Sequence, residues 1–369
     1  MPPSEPPSAA SPTPHAAVPV SRKMRAAISR GRRALLVEDV SLPEPGPGEV
    51  RVRVSACGVC GTDLHLFHAG LLPIGMTPGH EIAGTVDRSG PGVSDFAPGE
   101  PIVVEPLRTC GQCRECRAGR DSICSELRLL GLHESGGMAE YVVVPAHRLF
   151  RVPGGLDPRI AALAEPVAVV LHGLRRASFV PGQRVLVLGA GTVGLLGVLA
   201  ARAFGAGEVW LAARHPHQAE LGQAFGATRV LTEAEATPVA LASQAKSAPA
   251  DLVLETVGGK ADTLRAAGAA LAPGGTVSVL GVFLGSVHLD PYPLLLKEAT
   301  LAWSNCYARS WQGSPRADFE DAVALVDRQR ELLARLVTHS VPLGEVERGF
   351  EIASDRKAGA VKVSVLPLP

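Results

Sequence analysis

The stretch CGQCRECRAGRDSIC, residues 110 to 124, places Cys110, Cys113, Cys116 and Cys124 in one short segment of a chain that has 7 cysteines in all. Thiols this close have two plausible fates, a disulfide framework or a metal site. Cysteines three apart in a tight loop bridge poorly, and the absence of a recognisable export signal argues against an oxidising compartment. Zinc is the better match: C-x2-C-x2-C-x7-C lets the backbone curl about an ion and present four thiolates tetrahedrally. Four protein ligands leave no open position for a substrate, so this site reads as structural. Four thiolates and Zn²⁺ sum to minus two; Arg108, Arg114, Arg117 and Arg120 flank the loop and could offset that charge, or equally be ordinary solvated surface charge.

A second pair, Cys57 and Cys60, lies in EVRVRVSACGVCGTDLH. A redox pair, a second metal site and two small buried residues all fit this spacing. Cys306, alone in AWSNCYARS, is expected to be a buried small residue. A third stretch, RVLVLGAGTVG at 184–194, is an apolar run followed by G-x-G-x-x-G and a helix-forming segment. In that context Gly189 permits a tight turn, Gly191 lets backbone approach a pyrophosphate, and Gly194 allows close packing of helix on strand. Ala190, Thr192 and Val193 complete the turn, which would hold an anion at the helix N-terminus. Some twenty residues on, where an NAD site usually carries Asp or Glu, stand Ala213 and Arg214. Loss of the carboxylate removes repulsion toward a 2′-phosphate, and Arg214 offers it a forked cation. NADP is therefore expected over NAD.

These residues need elements to position them. Val50, Val52, Val54 and Ala56 alternate with polar residues as in a half-buried strand that ends near the Cys57, Cys60 pair. After the glycine-rich turn come EVWLAAR, HQAELGQAFGA, DLVLETVGG, KADTLRAAGAALAPGG and TVSVLGV, an alternation of strand and helix patterns that predicts a doubly wound parallel sheet. The length of 369 residues predicts two domains. Lys plus Arg and Asp plus Glu are 36 each, which gives no electrostatic reason to expect nucleic acid or an anionic membrane as partner. Residues 1–23, dominated by Pro, Ser and Ala, read as a disordered tail without a secretory signal, so the cytoplasm is the expected location. The uncharged run from Val185 to Ala201 could pass for a membrane span, but its three glycines fall where a buried strand turns into a helix.

Taken together, CGVCGTDLH, TPGHEIAGTV, the four-cysteine lobe, AEYVVVPA, ALAEPVAVVLHGL, VLVLGAGTVG and LVTHSVPLGEVERGF resemble, in order, segments of the zinc-containing medium-chain alcohol dehydrogenase family. The resemblance implies an α/β fold in which a GroES-like, mostly-β catalytic domain, residues 24–166 and 304–369, is interrupted by a Rossmann domain, residues 167–303. It implies Cys60, His80 and Glu165 as ligands of a catalytic zinc, with Glu81 able to approach the ion transiently. Glutamate at 165, where alcohol dehydrogenases proper use cysteine, points to the polyol and threonine dehydrogenase branch. Asp63 would orient the zinc-bound imidazole, and Thr62 and His65 would relay a proton. The implied activity is zinc-dependent hydride transfer between a secondary alcohol or polyol and NAD(P), with two zinc ions per chain. The alternatives are amino-alcohol oxidation of the threonine dehydrogenase type, and a catalytically silent NADPH-binding or redox-sensing protein. Expected partners are a small alcohol or ketone and, by the resemblance, further copies of the chain as a dimer or tetramer. His68, His133, His172 and His339 receive no role, although His133 in GLHESGG could lie near a substrate cleft.

Overall fold

The structure is a computed structural model that describes residues 22–310 and 317–368. The expected tail lies outside the described residues except for Arg22 and Lys23, and Lys23 already opens the strand Lys23–Gly31.

The middle of the chain forms a six-stranded, all-parallel sheet in the order Arg229–Leu231, Glu208–Ala212, Arg184–Leu188, Ala250–Glu255, Leu271–Val279, Thr300–Trp303. Val185, Leu186, Val187 and Leu188 are all buried, as a strand covered by helices on both faces requires. The order reverses beside Arg184–Leu188, so a crevice opens past the carboxyl ends of that strand and of Ala250–Glu255. The apolar run that resembled a membrane span resolves into this strand and the helix Thr192–Ala203. Among the described residues no helix is long and apolar enough to cross a membrane.

Residues from both ends of the chain build the second unit, a seven-stranded sheet around Glu49–Gly58. Val50, Val52, Val54 and Ala56 are buried as their alternation predicts, but Arg51 is buried too, because Asp87 and Glu44 pair with its guanidinium. The strand does not stop at the cysteine pair. It continues through Cys57 and Gly58, which makes Cys57 an interior residue and leaves Cys60 to the following turn. The C-terminal strand Lys362–Leu366 lies between Val337–Pro342, parallel, and Glu49–Gly58, antiparallel. Residues 166 and 167, the expected domain boundary, fall inside one continuous helix, Ala164–Arg176. This helix packs on Thr192–Ala203 on one side, and its buried His172 meets Asp318 of the helix Asp318–Arg328 at 2.8 Å.

Candidate active site and metal lobe

The four lobe cysteines are the one group of three or more metal-ligating side chains, among the described residues, whose donor atoms all lie within 4.8 Å of one another. Backbone amides already point at the sulfurs: Cys113 N–H donates to Cys110 Sγ at 3.4 Å, Cys116 N–H to Cys113 Sγ at 3.4 Å, and Cys110 N–H to Cys124 Sγ at 3.5 Å. The donation from Cys116 is the main reason the Cys113 thiol falls to about 6. Convergent sulfurs that receive amide hydrogens suit a tetrathiolate metal site.

Of the two readings of the flanking arginines, the structure agrees with ordinary surface charge rather than with a counter-charge to the lobe. Arg108 pairs with Glu49 and Glu134, Arg120 pairs with Glu115, and Arg114 and Arg117 are exposed to solvent. The cations at the lobe come from elsewhere in the chain. Asp121, fully buried between Cys116 and Cys124, receives Arg309 at 2.7 Å and Arg148 at 2.9 Å, and Arg148 also pairs with buried Glu105. Arg309 further donates to Cys116 O, and the amides of Arg309 and Ser310 donate to Gly119 O. The lobe is thereby stitched to the segment 305–310, which directly follows the last strand of the parallel sheet.

The second set of donors is gathered from distant segments. Cys60 caps the helix Gly61–Ala69, its amide bonded to Asp63 Oδ2 at 3.0 Å. His80 immediately precedes the strand Glu81–Ser89, and Glu165 stands in the first turn of Ala164–Arg176. His80 lies within electrostatic reach of the Cys60 thiol and the Glu165 carboxyl, while its Nδ1 lies 3.7 Å from Asp63 Oδ1. Both of those last atoms are buried without a hydrogen-bond partner. Burial works against a charged imidazole at His80, yet Asp63 and Cys60 hold it well above its ordinary value. Burial, followed by the Glu81 charge, pushes the Asp63 carboxyl up, and the same two causes take Glu165 to about 7. Cys60, His80 and Glu165 do not all come within the distance that the lobe sulfurs keep. A thiol, an imidazole and a buried carboxylate aimed at one another are nonetheless a donor set that fits zinc. Cys306, expected to be merely buried, is half-buried with a left-handed φ of 50° and lies near Glu165 and Cys60; burial, followed by those charges, raises its thiol to about 12.

Glu81 is already held. Lys362 Nζ reaches its two oxygens at 2.7 and 2.6 Å and Val59 O at 3.1 Å, with both side chains buried. Burial disfavours the ammonium, but Glu81, together with Cys60 and Glu165, more than compensates and the Lys362 proton is bound more tightly than usual.

A cleft of about 130 Å³ joins this centre to the glycine-rich turn: Cys60, Thr62 and His65 line one side, and Gly191, Thr192 and Val193 the other. Thr62 is half-buried and His65 exposed, the order a proton path to solvent requires. Burial, then Arg356 and His68, lower the proton affinity of His65. Gly189 turns with φ 101°, and a Cβ on Gly194 would fall 1.8 Å from Gly189 O, so these two positions demand glycine. A Cβ on Gly191 would meet only Arg356 Nη1, at 3.4 Å. Thr192 Oγ1 donates to Val361 O at 2.9 Å and ties the turn to the C-terminal segment. A second cavity of about 390 Å³ continues past Gly189 and Ala190 to Ala213 and Arg214, and Arg214 pairs with exposed Glu233 at 3.0 Å. His68, His133, His172 and His339 line neither cavity. His133 sits in an exposed turn and accepts from Leu129 N.

Sequence patterns alone did not point to Lys362, Arg356, Arg309 or the Val257 and Val282 walls of the cleft. A lysine set among apolar residues in AVKVSVL signals a buried cation on a strand; nothing in ASDRKAGA marks Arg356.

Comparison with known proteins places family models over both units: an alcohol dehydrogenase GroES-like domain matches residues 46–154, and a zinc-binding dehydrogenase domain matches residues 192–328. The chain is 31% identical over 344 residues to an L-threonine 3-dehydrogenase of Anaeromyxobacter sp. (strain Fw109-5), covering 91% of this chain and 98% of that one. It is 30% identical over 336 residues to the L-galactonate-5-dehydrogenase of Escherichia coli (strain K12), covering 89% and 94%. Among solved structures, a zinc-binding dehydrogenase from Sinorhizobium meliloti 1021 bound to NADP superposes with a TM-score of 0.82 at 35% identity, covering 94% of this chain and 100% of that one.

Proposed function

Because the chain belongs to the zinc-containing medium-chain alcohol dehydrogenase family and is an alcohol or polyol dehydrogenase, we propose that Cys60, His80 and Glu165 hold its catalytic zinc, that the four lobe cysteines hold a second, structural zinc, and that it uses NADP in preference to NAD. The observation that carries this reading is the shared cleft, where the turn that would hold a coenzyme phosphate and the thiol, hydroxyl and imidazole of Cys60, Thr62 and His65 face the same space. When bound, the zinc supplies a Lewis acid for the substrate oxygen. The protein does the rest. Thr62 accepts the hydroxyl proton and passes it toward exposed His65, which is neutral at physiological pH because its proton affinity is lowered. The Gly189–Gly194 turn would hold the diphosphate of the coenzyme, which would supply the acceptor for the hydride of the alcohol carbon. Asp63 fixes the orientation of the His80 ring through its Nδ1 side. Glu81, bound to Lys362, contributes negative charge beside the centre without being free to move far.

Support for NADP comes from Ala213 and Arg214 at the wall of the second cavity and from the NADP carried by the similar structure. The contact of Arg214 with Glu233 does not oppose it: an exposed pair is worth about 0–1 kcal/mol, whereas a charge-assisted contact to phosphate is worth about 1.5–3 kcal/mol, roughly ten- to a hundredfold in binding. Edge strand Thr300–Trp303, with Tyr292, Leu295, Leu296 and Trp303 exposed beside it, supports a homo-oligomer built on that face. Steady-state kinetics with polyols, sugar acids and amino alcohols, each with both coenzymes, test the proposal. The expected result is a higher kcat/KM with NADP, reversed by Ala213→Asp with Arg214→Ile; a tenfold preference for NAD in the unmodified enzyme would overturn it. L-Threonine belongs in the panel because the similar threonine dehydrogenases span nearly the whole chain.

A further inference from the structure

Tyr307 is 1% exposed, and among the described residues its hydroxyl is buried without a hydrogen-bond partner. The ring itself is well packed. It meets Phe319 edge-on at 5.4 Å and shares an apolar core with Leu163, Ala164 and Val167, which flank Glu165. Phenylalanine would fill that space without burying an oxygen that nothing satisfies, which is unfavourable. The backbone on either side of Tyr307 is pinned: Asn305 Nδ2 donates to Ser122 O at 2.8 Å, and Ala308 N–H to Asp318 Oδ2 at 2.8 Å. Asp318 also meets His172 at 2.8 Å and binds Arg175, both from the helix Ala164–Arg176 that carries Glu165 in its first turn. One carboxylate thus fixes the segment of Tyr307 against the helix of Glu165. Glu165 is the charge that acts most strongly on the phenol, whose proton burial already holds tightly. Other groups near the hydroxyl are engaged, Glu105 with Arg148 and Cys306 with Asn305.

We propose that Tyr307 is a positioning residue of the metal centre: its hydroxyl donates to one oxygen of Glu165, so that the carboxylate presents the other to the zinc. The inference rests on Glu165 as a zinc ligand and adds the group that orients it. Either oxygen of a carboxylate can ligate or accept, and metal-bound carboxylates are themselves hydrogen-bonded from behind. Asp63 stands beside His80 in that way. Tyr307 gives Glu165 its counterpart, from a segment, NCYARS, whose sequence carries no sign of it. With one oxygen held, Glu165 fills one position at the ion rather than two, which keeps a position open for the substrate oxygen.

Zinc release to a chelator, followed in the zinc-loaded parent, Tyr307→Phe and Cys60→Ala enzymes, tests the proposal. Release seen in the parent and missing from Cys60→Ala belongs to the Cys60 centre. In Tyr307→Phe that release is expected to be about ten- to a hundredfold faster, with release from the lobe and the far-ultraviolet circular dichroism spectrum unchanged. With cobalt in place of zinc, the visible absorption bands of the centre should shift, because they report the geometry of the ligands. The variant should lose kcat and keep the parent's KM for the coenzyme. Combined with Glu165→Cys, which leaves no second oxygen to accept, Tyr307→Phe should no longer alter zinc release. Zinc release and a cobalt spectrum identical to the parent's in Tyr307→Phe would overturn the proposal. So would failure of Tyr307→Phe to fold, which would show that the hydroxyl serves the core instead. Equal zinc release from the parent and Cys60→Ala would remove the ligand assignment on which the proposal rests, a result distinct from either.

Discussion

The two proposed sets of metal donors are built on opposite plans. The lobe takes all four sulfurs from fifteen consecutive residues and brings them within 4.8 Å by local turns and amide-to-sulfur bonds. The proposed centre at Cys60, His80 and Glu165 takes one donor from each of three segments and depends on the packing of a helix cap, the residue before a strand and the first turn of another helix to bring them together. A local site can form as soon as its loop exists. A dispersed site exists only when the fold is complete, and its donors stay more loosely gathered until an ion draws them in. The lobe can therefore stiffen the fold, whereas the dispersed centre can present an open position to a substrate.

Breaking the dispersed centre should have the largest effect on rate. Cys60→Ala is expected to lower kcat/KM by about a thousandfold or more, the loss of several kcal/mol of Lewis-acid stabilisation, with an unchanged far-ultraviolet circular dichroism spectrum; retained turnover would remove Cys60 from the centre. The support beneath that centre comes next. Lys362→Met strands the Glu81 carboxylate in the interior and should destabilise the protein by about 3–5 kcal/mol in urea unfolding. Adding Glu81→Gln should recover part of that loss, and a double variant no better than the single one would show that Lys362 acts through packing alone.

Cys113→Ser probes the lobe. It should lower the melting temperature by roughly 5–10 °C, with turnover per folded molecule falling much less than in Cys60→Ala. A collapse of turnover in still-folded protein would instead mean that the segment 305–310, stitched to the lobe through Arg309, transmits the damage to the neighbourhood of Glu165. The smallest effect is expected at His65, which touches neither metal site. Its proton affinity is lowered, so the neutral, accepting form persists until the pH falls below its ordinary value of about 6.5. Alcohol oxidation by the parent should decline only beneath that pH. His65→Gln should be slower throughout and most depressed on the acid side, and superimposable pH profiles would remove His65 from the relay.

The same contrast between local and dispersed construction decides how much of the molecule is legible in its sequence. Cys110, Cys113, Cys116 and Cys124 declare themselves because their spacing is itself the geometry. The Gly189–Gly194 turn is equally legible, since a strand, a turn and a helix in sequence are also neighbours in space. Glu165 has no local signature; it emerges from a resemblance spread over the whole chain. Lys362, which meets Glu81 across 281 residues, and Arg309, which meets Asp121 across 188, depend on which strand lies beside which, and nothing near either residue encodes that. The arginines beside the lobe show the converse limit: adjacency in sequence left counter-charge and surface charge equally open, and only the positions of Glu49, Glu115 and Glu134 in space decide for the second at Arg108 and Arg120.

The strand Lys362–Leu366, wedged between Val337–Pro342 and Glu49–Gly58, also sets a timetable for biosynthesis. At about 5–20 residues per second, a ribosome needs roughly 15–60 s to pass from Glu81 to Lys362. During that interval the six parallel strands, contiguous in the chain, can pair and close. Over the same interval the edge of Glu49–Gly58 that receives Lys362–Leu366 is unpaired near Cys57 and Gly58, and Glu81 has no cation. An open strand edge is a template for pairing with another chain, so the nascent protein is most prone to aggregate after its coenzyme domain has formed and before its last described strand arrives.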